Sequence, residues 1–357
     1  MKNDILINLV ACDPTIGIEN IDGFDICIDN HNYIFSLLNI QAQQDEQVLD
    51  DYSVIVKVVG FSCNYRDKGF LVHFLNRCQN SNDYLYTSFG SDFVGKVIKV
   101  GRLVTSFKIG DRVMPDNSYP VKLNNKFGGI ITNTASKRIH IFNESELIKV
   151  PDMMTDAEAA AFALSAQTAH SIVKKAHLKK GDKVLVTSIF SNTSLSCLEL
   201  LKDIADIEIY ALTTHLDNAF QIASQFNIKQ IFQQTDFTTS ERSLGILFDV
   251  VIDPFVDLHI SYLSKYLNYN SKYISCGITN VCNNISSHEV FYNIIKTNSE
   301  FIGNCLGTRE NLEEMINKYL NHKYKVHIDS VHVGNQVRAF INKTFNETHV
   351  GKVIYLY

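Results

Sequence analysis

The sequence predicts an α/β protein: a doubly wound parallel sheet, with β-rich chain before and after it. Three observations carry this. Residues 183–201, KVLVTSIFSNTSLSCLELL, pass from a buried apolar run, Val184-Leu185-Val186, to Leu195, Leu198 and Leu201 at helical spacing. That is a strand running through a tight turn into a helix. Six short apolar runs, at Lys183–Thr187, Glu208–Leu212, 230–232, 249–253, 273–276 and 301–304, are separated by helical or loop segments. Such alternation gives a parallel sheet covered on both faces. On either side of that block the chain consists of short strand-like runs broken by turn residues.

In chain order, residues 1–50 read as β-hairpins, as at Asp25-Ile26-Cys27-Ile28-Asp29. Residues 54–60 are a strong strand that leads into Cys63-Asn64-Tyr65-Arg66-Asp67. Residues 68–87 read as loop-rich. Residues 89–101 and 104–113 are further β-runs, with Gly101 and Gly110 where strands must turn. At Thr155 the texture changes. Asp156-Ala157-Glu158-Ala159-Ala160-Ala161 has high helix propensity, and Thr155 with Glu158 fits a capping box. From Val326 to Tyr357 the chain returns to β-like runs, and this tail is expected to rejoin the first domain.

Composition narrows the function. At 357 residues, two domains are the sensible expectation. A hydrophobic content of 45% with 20% charged residues describes an ordinary globular protein. A net charge of −5 without any Lys/Arg run gives no footprint for nucleic acid. No apolar stretch reaches the roughly 18 residues that would suggest a membrane span, and the N-terminal residues do not form a secretory signal. The expected location is the cytoplasm. The eight cysteines, at 12, 27, 63, 78, 197, 276, 282 and 305, include no C-x-x-C pair, so most are expected to be buried thiols rather than disulfides or zinc ligands.

Across nearly its whole length the chain resembles the medium-chain dehydrogenase/reductase superfamily, and most of all its zinc-independent quinone reductase and enoyl reductase branch. The residues that carry the resemblance lie in the family's order. They are Val58-Val59-Gly60 with Asn64-Tyr65-Arg66-Asp67, then Gly90-Ser91-Asp92-Phe93-x-Gly95, then Val100-Gly101 with Phe107-x-x-Gly110-Asp111-Arg112-Val113. Glu158-Ala159-Ala160-Ala161 through Thr168-Ala169, Leu178-x-x-Gly181-Asp182-x-Val184-Leu185-Val186 and Gly351-Lys352-Val353 follow. The resemblance implies a GroES-like β-domain at 1–163 and 306–357, and a Rossmann domain at 164–305. It implies substrate and nicotinamide in the cleft between domains, and a homodimer.

The zinc-dependent members hold their metal through a Cys in the first of these motifs and a His-Glu pair in the second. Here Asn64 and Ser91-Asp92 stand at those positions, and the four-cysteine structural lobe is missing. Asn and Ser are poor ligands for an ion that prefers thiolate and imidazole, so no metal is expected. Without a Lewis acid the natural chemistry is hydride transfer to an activated double bond. The resemblance places Asn64 and Asp67 beside the cofactor and makes Tyr65 the candidate proton donor.

Where the matching branch has a glycine-rich turn, this chain has Ser188, Ser191, Asn192, Thr193 and Ser194. Glycine serves there because the backbone needs φ > 0 and pyrophosphate approaches closely. The replacements are small and polar, Asn tolerates the left-handed region, and the helix N-terminus keeps its amides and dipole. The five residues are therefore expected to bind a dinucleotide. The strand end Thr213-Thr214-His215 lacks an acid and suits a 2′-phosphate, which favours NADPH, with NADH the alternative; Asn218, where the family often has Lys, weighs against this. Thr168, Asp253, Cys276 and Gly277 complete the cofactor residues by the same resemblance. His170 is expected to be a packing or capping residue, and Arg309 to form a surface ion pair.

The expectation is a cytoplasmic, metal-free, NADPH-dependent reductase of an enone, enoyl, quinone or dehydroamino-acid C=C bond. Its partners would be a small-molecule or peptide-borne substrate and a second copy, with neither nucleic acid nor membrane. Two alternatives remain: a catalytically silent binding protein, if the turn takes no dinucleotide, and a zinc-independent carbonyl reductase.

Overall fold

A computed structural model of the chain describes residues 5–13, 23–41, 50–80, 86–120, 122–123, 126–127, 129–217, 219–238, 244–279 and 286–357. The chain divides into two compact units, Met1–Leu164 with Val326–Tyr357, and Ser165–Lys325. The first boundary lies beside the expected one. The second falls twenty residues later, because residues 306–325 are tied to the second unit: Gln167 Nε2 donates to the Thr308 carbonyl at 2.9 Å, and Ser196 Oγ and Tyr324 OH lie 2.9 Å apart.

The first unit begins with β1 (Ile5–Cys12), β2 (Gly23–Ile28) and β3 (His31–Gln41), followed by β4 (Ser53–Ser62), α1 (Tyr65–Asn80), β5 (Tyr86–Thr87) and β6 (Asp92–Val100). Then come β7 (Arg112–Pro115), β8 (Lys122–Leu123), β9 (Lys126–Phe127), β10 (Ile139–Asn143), β11 (Leu147–Lys149) and α2 (Asp156–Ala176), which contains the boundary. The hairpin β2–β3 turns on Asp29 and Asn30, both left-handed at φ 47° and 65°, the conformations of a type I′ turn. One sheet has the order β2-β3-β1-β5.

Of the segment 68–87 expected to be loop-rich, residues 68–80 are helical. Residues 65–80 form α1, with Leu71, Phe74 and Leu75 buried. Residues 81–85, between α1 and β5, lie outside the described residues.

The second unit holds β12 (Lys183–Thr187), α3 (Asn192–Leu201), β13 (Glu208–Leu212), α4 (Ala219–Gln225), β14 (Ile228–Phe232), α5 (Gln234–Thr238) and β15 (Phe248–Asp253). It continues through α6 (Val256–Leu263), β16 (Leu267–Ser275), α7 (Ser287–Lys296), β17 (Glu300–Gly303) and α8 (Arg309–Leu320). Its six strands are all parallel, in the order β14-β13-β12-β15-β16-β17. The order reverses beside β12, so the C-terminal ends of β12 and its neighbours form the switch point where such sheets bind ligands. All six expected strands are present, with ends shifted by a few residues.

The chain then returns to the first unit through β18 (Ile328–Val333), α9 (Val337–Phe345) and β19 (Lys352–Leu356). There the seven-stranded sheet runs β11-β7-β6-β4-β19-β18, with β10 also paired to β4. Its core is aromatic: Phe61 lies edge-on to Phe89 and Phe340, with ring centroids 5.8 and 5.4 Å apart.

Candidate active site

In the first unit, pairing sets three strand ends side by side. Ser62 of β4 faces Asp92, the first residue of β6, and on its other side faces Ile354 of β19. The residues at these ends form a buried polar cluster. Gly351 makes it reachable from β19: its φ is +89°, and a Cβ there would collide with the His327 carbonyl. Only glycine adopts that backbone freely, and the next residue, Lys352, is directed into the cluster.

Lys352 is 3% exposed. Its Nζ donates to Asn64 Oδ1 at 2.6 Å, the Cys63 carbonyl at 3.0 Å, Ser62 Oγ at 3.2 Å and Asp92 Oδ2 at 3.2 Å. A buried ammonium is costly unless a counter-charge and acceptors surround it, and here Asp92 supplies the charge. The other Asp92 oxygen accepts from the Leu164 amide at 3.1 Å. Asn64 Nδ2 donates to Ser91 Oγ at 3.0 Å and Asp92 Oδ2 at 3.2 Å.

Asp67, in the first turn of α1, is also buried. Its Oδ2 accepts from the Asn64 amide and from Ser91 Oγ, both at 2.7 Å, while Oδ1 has no hydrogen-bond partner. Burial pushes its pKa up to about 6, against the opposing pull of those two donors, Arg66 and Lys352. Burial, with Asp67 second, also holds the Cys63 thiol well above its usual range. Asn64 and Asp67 thus meet in one network. Tyr65, between them, is 42% exposed with Lys68 Nζ 5.7 Å from its ring centre. Lys352 is not among the site residues expected from sequence, although a lysine heading an apolar terminal run, after a glycine, is a visible signal.

In the second unit the β12–α3 turn keeps the geometry of a glycine turn without glycine. Ser188 has φ +49°, which costs a non-glycine residue roughly 1–2 kcal/mol. The left-handed residue is therefore Ser188 and not Asn192, which is already the first residue of α3. Ser191 is the N-cap: its Oγ accepts from the Ser194 amide at 3.2 Å. It also donates to Ser194 Oγ at 3.0 Å, and Ser194 Oγ donates to the Thr187 carbonyl at 2.7 Å. The hydroxyls of Ser191 and Ser194, expected to contact phosphate, are thus bonded to the turn and the strand end themselves. The amides of Asn192 and Thr193, in the first turn, have no intrahelical partner by construction. Asn192 Nδ2 is buried without a hydrogen-bond partner.

The other expected cofactor residues divide. Thr214 and His215 are exposed beyond β13. Thr213 is 3% exposed, and its hydroxyl closes a turn with the His215 carbonyl and amide at 3.0 and 3.2 Å, so it is spent within the loop. Asn218 lies outside the described residues. Thr168 is buried within α2.

Asp253 is turned into the protein. Its carboxylate is fully buried and accepts from Thr187 Oγ1 at 2.7 Å, the Phe255 amide at 3.0 Å, His259 Nδ1 at 2.8 Å and Tyr273 OH at 2.5 Å. It is a hub joining β12, β15, β16 and α6. Gly277 fits tightly, since a Cβ there would stand 2.6 Å from the Pro254 carbonyl. Its neighbour Cys276 has its thiol pushed up to about 12 by burial and then by Asp253. His170 packs as expected: Asn311 Nδ2 lies 3.0 Å from its Nδ1 and Glu314 Oε2 2.9 Å from its Nε2. Arg309 forms its surface pair with Glu313.

Residues 50–152 match the alcohol dehydrogenase GroES-like domain family. Over the whole chain, a thermostable alcohol dehydrogenase from Pyrobaculum aerophilum superposes with a TM-score of 0.75 at 17% identity, covering 99% of this chain and 100% of that one. The CurK enoyl reductase superposes at 0.69, also 17% identical, covering 98% of this chain and 99% of that one. In sequence, the reducing polyketide synthase FUB1 of Gibberella fujikuroi is 24% identical over 64% of this chain and 9% of its own length. The low-reducing polyketide synthase drtA of Aspergillus calidoustus is 30% identical over 55% of this chain and 7% of its own. The chain spans less than a tenth of the length of these two curated relatives. It carries an alcohol dehydrogenase GroES-like domain and has the fold of the medium-chain dehydrogenases and reductases.

Proposed function

We propose that this chain is a metal-free, NADPH-dependent reductase of an activated C=C bond: an enone, enoyl, quinone or dehydroamino-acid group. The β12–α3 turn carries the reading, because it retains the left-handed residue and the helix N-terminus of a dinucleotide site although every glycine is replaced. The residues present fit the group. The amides of Asn192 and Thr193 and the unpartnered Asn192 Nδ2 would hold its pyrophosphate, and Thr214 and His215 its 2′-phosphate. The bound dinucleotide supplies a hydride. The relatives, as reducing polyketide synthases, and the CurK enoyl reductase support reduction of a conjugated acyl group.

In the first unit, Tyr65, 42% exposed, is the proton donor to the reduced substrate. The cluster behind it does not fit a zinc ion of the kind bound by the Pyrobaculum enzyme. Asn64 Oδ1 and Asp92 Oδ2 already accept from the Lys352 ammonium, and a second cation there would face repulsion with neither thiolate nor imidazole in the set. Among the described residues, no three His, Cys, Asp or Glu side chains come together as metal ligands.

The Tyr65→Phe enzyme should lose turnover by about 10²-fold or more, the usual scale of general-acid catalysis, while binding NADPH unchanged. Full turnover in that variant would remove Tyr65 from the chemistry. One observation favours the silent-binder alternative: Ser191 caps Ser194 without help from a ligand, so the turn is self-satisfied in part. Cofactor binding separates the two readings.

The same reading includes a cytoplasmic homodimer. No described helix is long and apolar enough to cross a membrane, and the seven described cysteines are free thiols. β17 lies at the edge of its sheet, and Phe291 and Ile295 of the adjoining α7 are 62% and 78% exposed.

A further inference from the structure

We propose that Lys352 is a positioning residue for Tyr65, acting through Asn64 and the first turn of α1; this rests on the reading of Tyr65 as proton donor. An asparagine before the first turn of a helix ordinarily turns its side-chain oxygen to that turn's amides. Asn64 precedes α1, but its Oδ1 is taken by Lys352 Nζ at 2.6 Å, and its Nδ2 by Ser91 and Asp92. The acid of the same turn, Asp67, bonds back to the Asn64 amide and accepts from Ser91. The start of α1 is therefore held from outside the helix, by the ends of β6 and β19, and Tyr65 is the residue between the two held positions. An ammonium with four acceptors fixes that anchor in three dimensions, and the left-handed Gly351 lets β19 deliver it.

The paired variant Lys352→Met/Asp92→Asn tests this without leaving a lone buried charge, since the carboxamide then standing at position 92 keeps an oxygen for the Leu164 amide. Hydrogen exchange at Asp67, whose amide donates to the Asn64 carbonyl at 2.9 Å, and at the next turn of α1 should accelerate at least tenfold, while amides of α9 and NADPH affinity stay unchanged. Turnover should fall about as far as in Tyr65→Phe, and adding the pair to Tyr65→Phe should cost less than twofold more, because residues acting through one another are not additive. Unchanged exchange in α1, or losses that multiply in the combined variant, would overturn the proposal. Lack of NADPH binding by the parent protein would sink the reductase reading, whereas the exchange measurement needs neither cofactor nor substrate and still decides whether Lys352 anchors α1.

Discussion

Asp67 and His140 show what single titratable groups contribute. Asp67 sits at about 6 rather than near 3.8, chiefly because it is buried. An acid whose pKa rises on folding helps stability most when protonated. Its contribution is favourable at low pH and is lost as pH climbs from about 4 through 6, a swing on the order of 3 kcal/mol. His140 is half-buried and stacks on Phe142 with ring centres 5.3 Å apart, its Nε2 against the Thr134 carbonyl at 3.0 Å, and loss of solvent pushes its pKa down to about 4. A base depressed on folding has the opposite slope: its contribution is lost as pH falls from 6.5 through 4. The two overlap, so a single denaturation curve cannot assign either. Urea denaturation of Asp67→Asn beside the parent protein isolates the first. The variant replaces Oδ1, which accepts no hydrogen bond, by an amide, and its stability advantage should grow between about pH 4 and about pH 6.5. A difference independent of pH would mean that Asp67 is not raised.

At the scale of elements, the β12–α3 turn is where sequence and structure diverge in meaning. Its small polar residues were legible, and so was the strand–turn–helix. What could not be read was how the hydroxyls divide between helix, strand and ligand, because one Ser can cap, donate or face solvent with the same spacing. Ser191→Ala should cost about 1 kcal/mol by losing the cap, seen as a lower Tm, while NADPH affinity holds because the hydroxyl serves the helix. A tenfold weaker affinity would put that hydroxyl on the phosphate instead. α1 teaches the reverse lesson. Phe70, Leu71, Phe74, Leu75 and Cys78 recur at three- and four-residue spacing, so the helix was present in the pattern of a segment read as loop. A strand-end acid at the switch point has the same sequence signature whether it faces a ligand or, like Asp253, gathers Thr187, His259 and Tyr273.

For the whole molecule, the alternation of six strands and the β-rich ends revealed the architecture, since periodicity survives any change of site residues. The later second boundary was invisible because it depends on long-range contacts such as Gln167 with Thr308. The proposed dimer is open to test at this scale. Phe291→Glu/Ile295→Glu should convert a dimer to a monomer in size-exclusion chromatography with light scattering, and a monomeric parent protein would contradict it. The central claim is that a turn without glycine still binds a dinucleotide. Since the chain has no tryptophan, the most direct measurement is titration with NADPH and NADH, followed by nucleotide fluorescence and thermal shift. The account predicts micromolar binding, tighter for NADPH; no binding of either at millimolar concentration would contradict it.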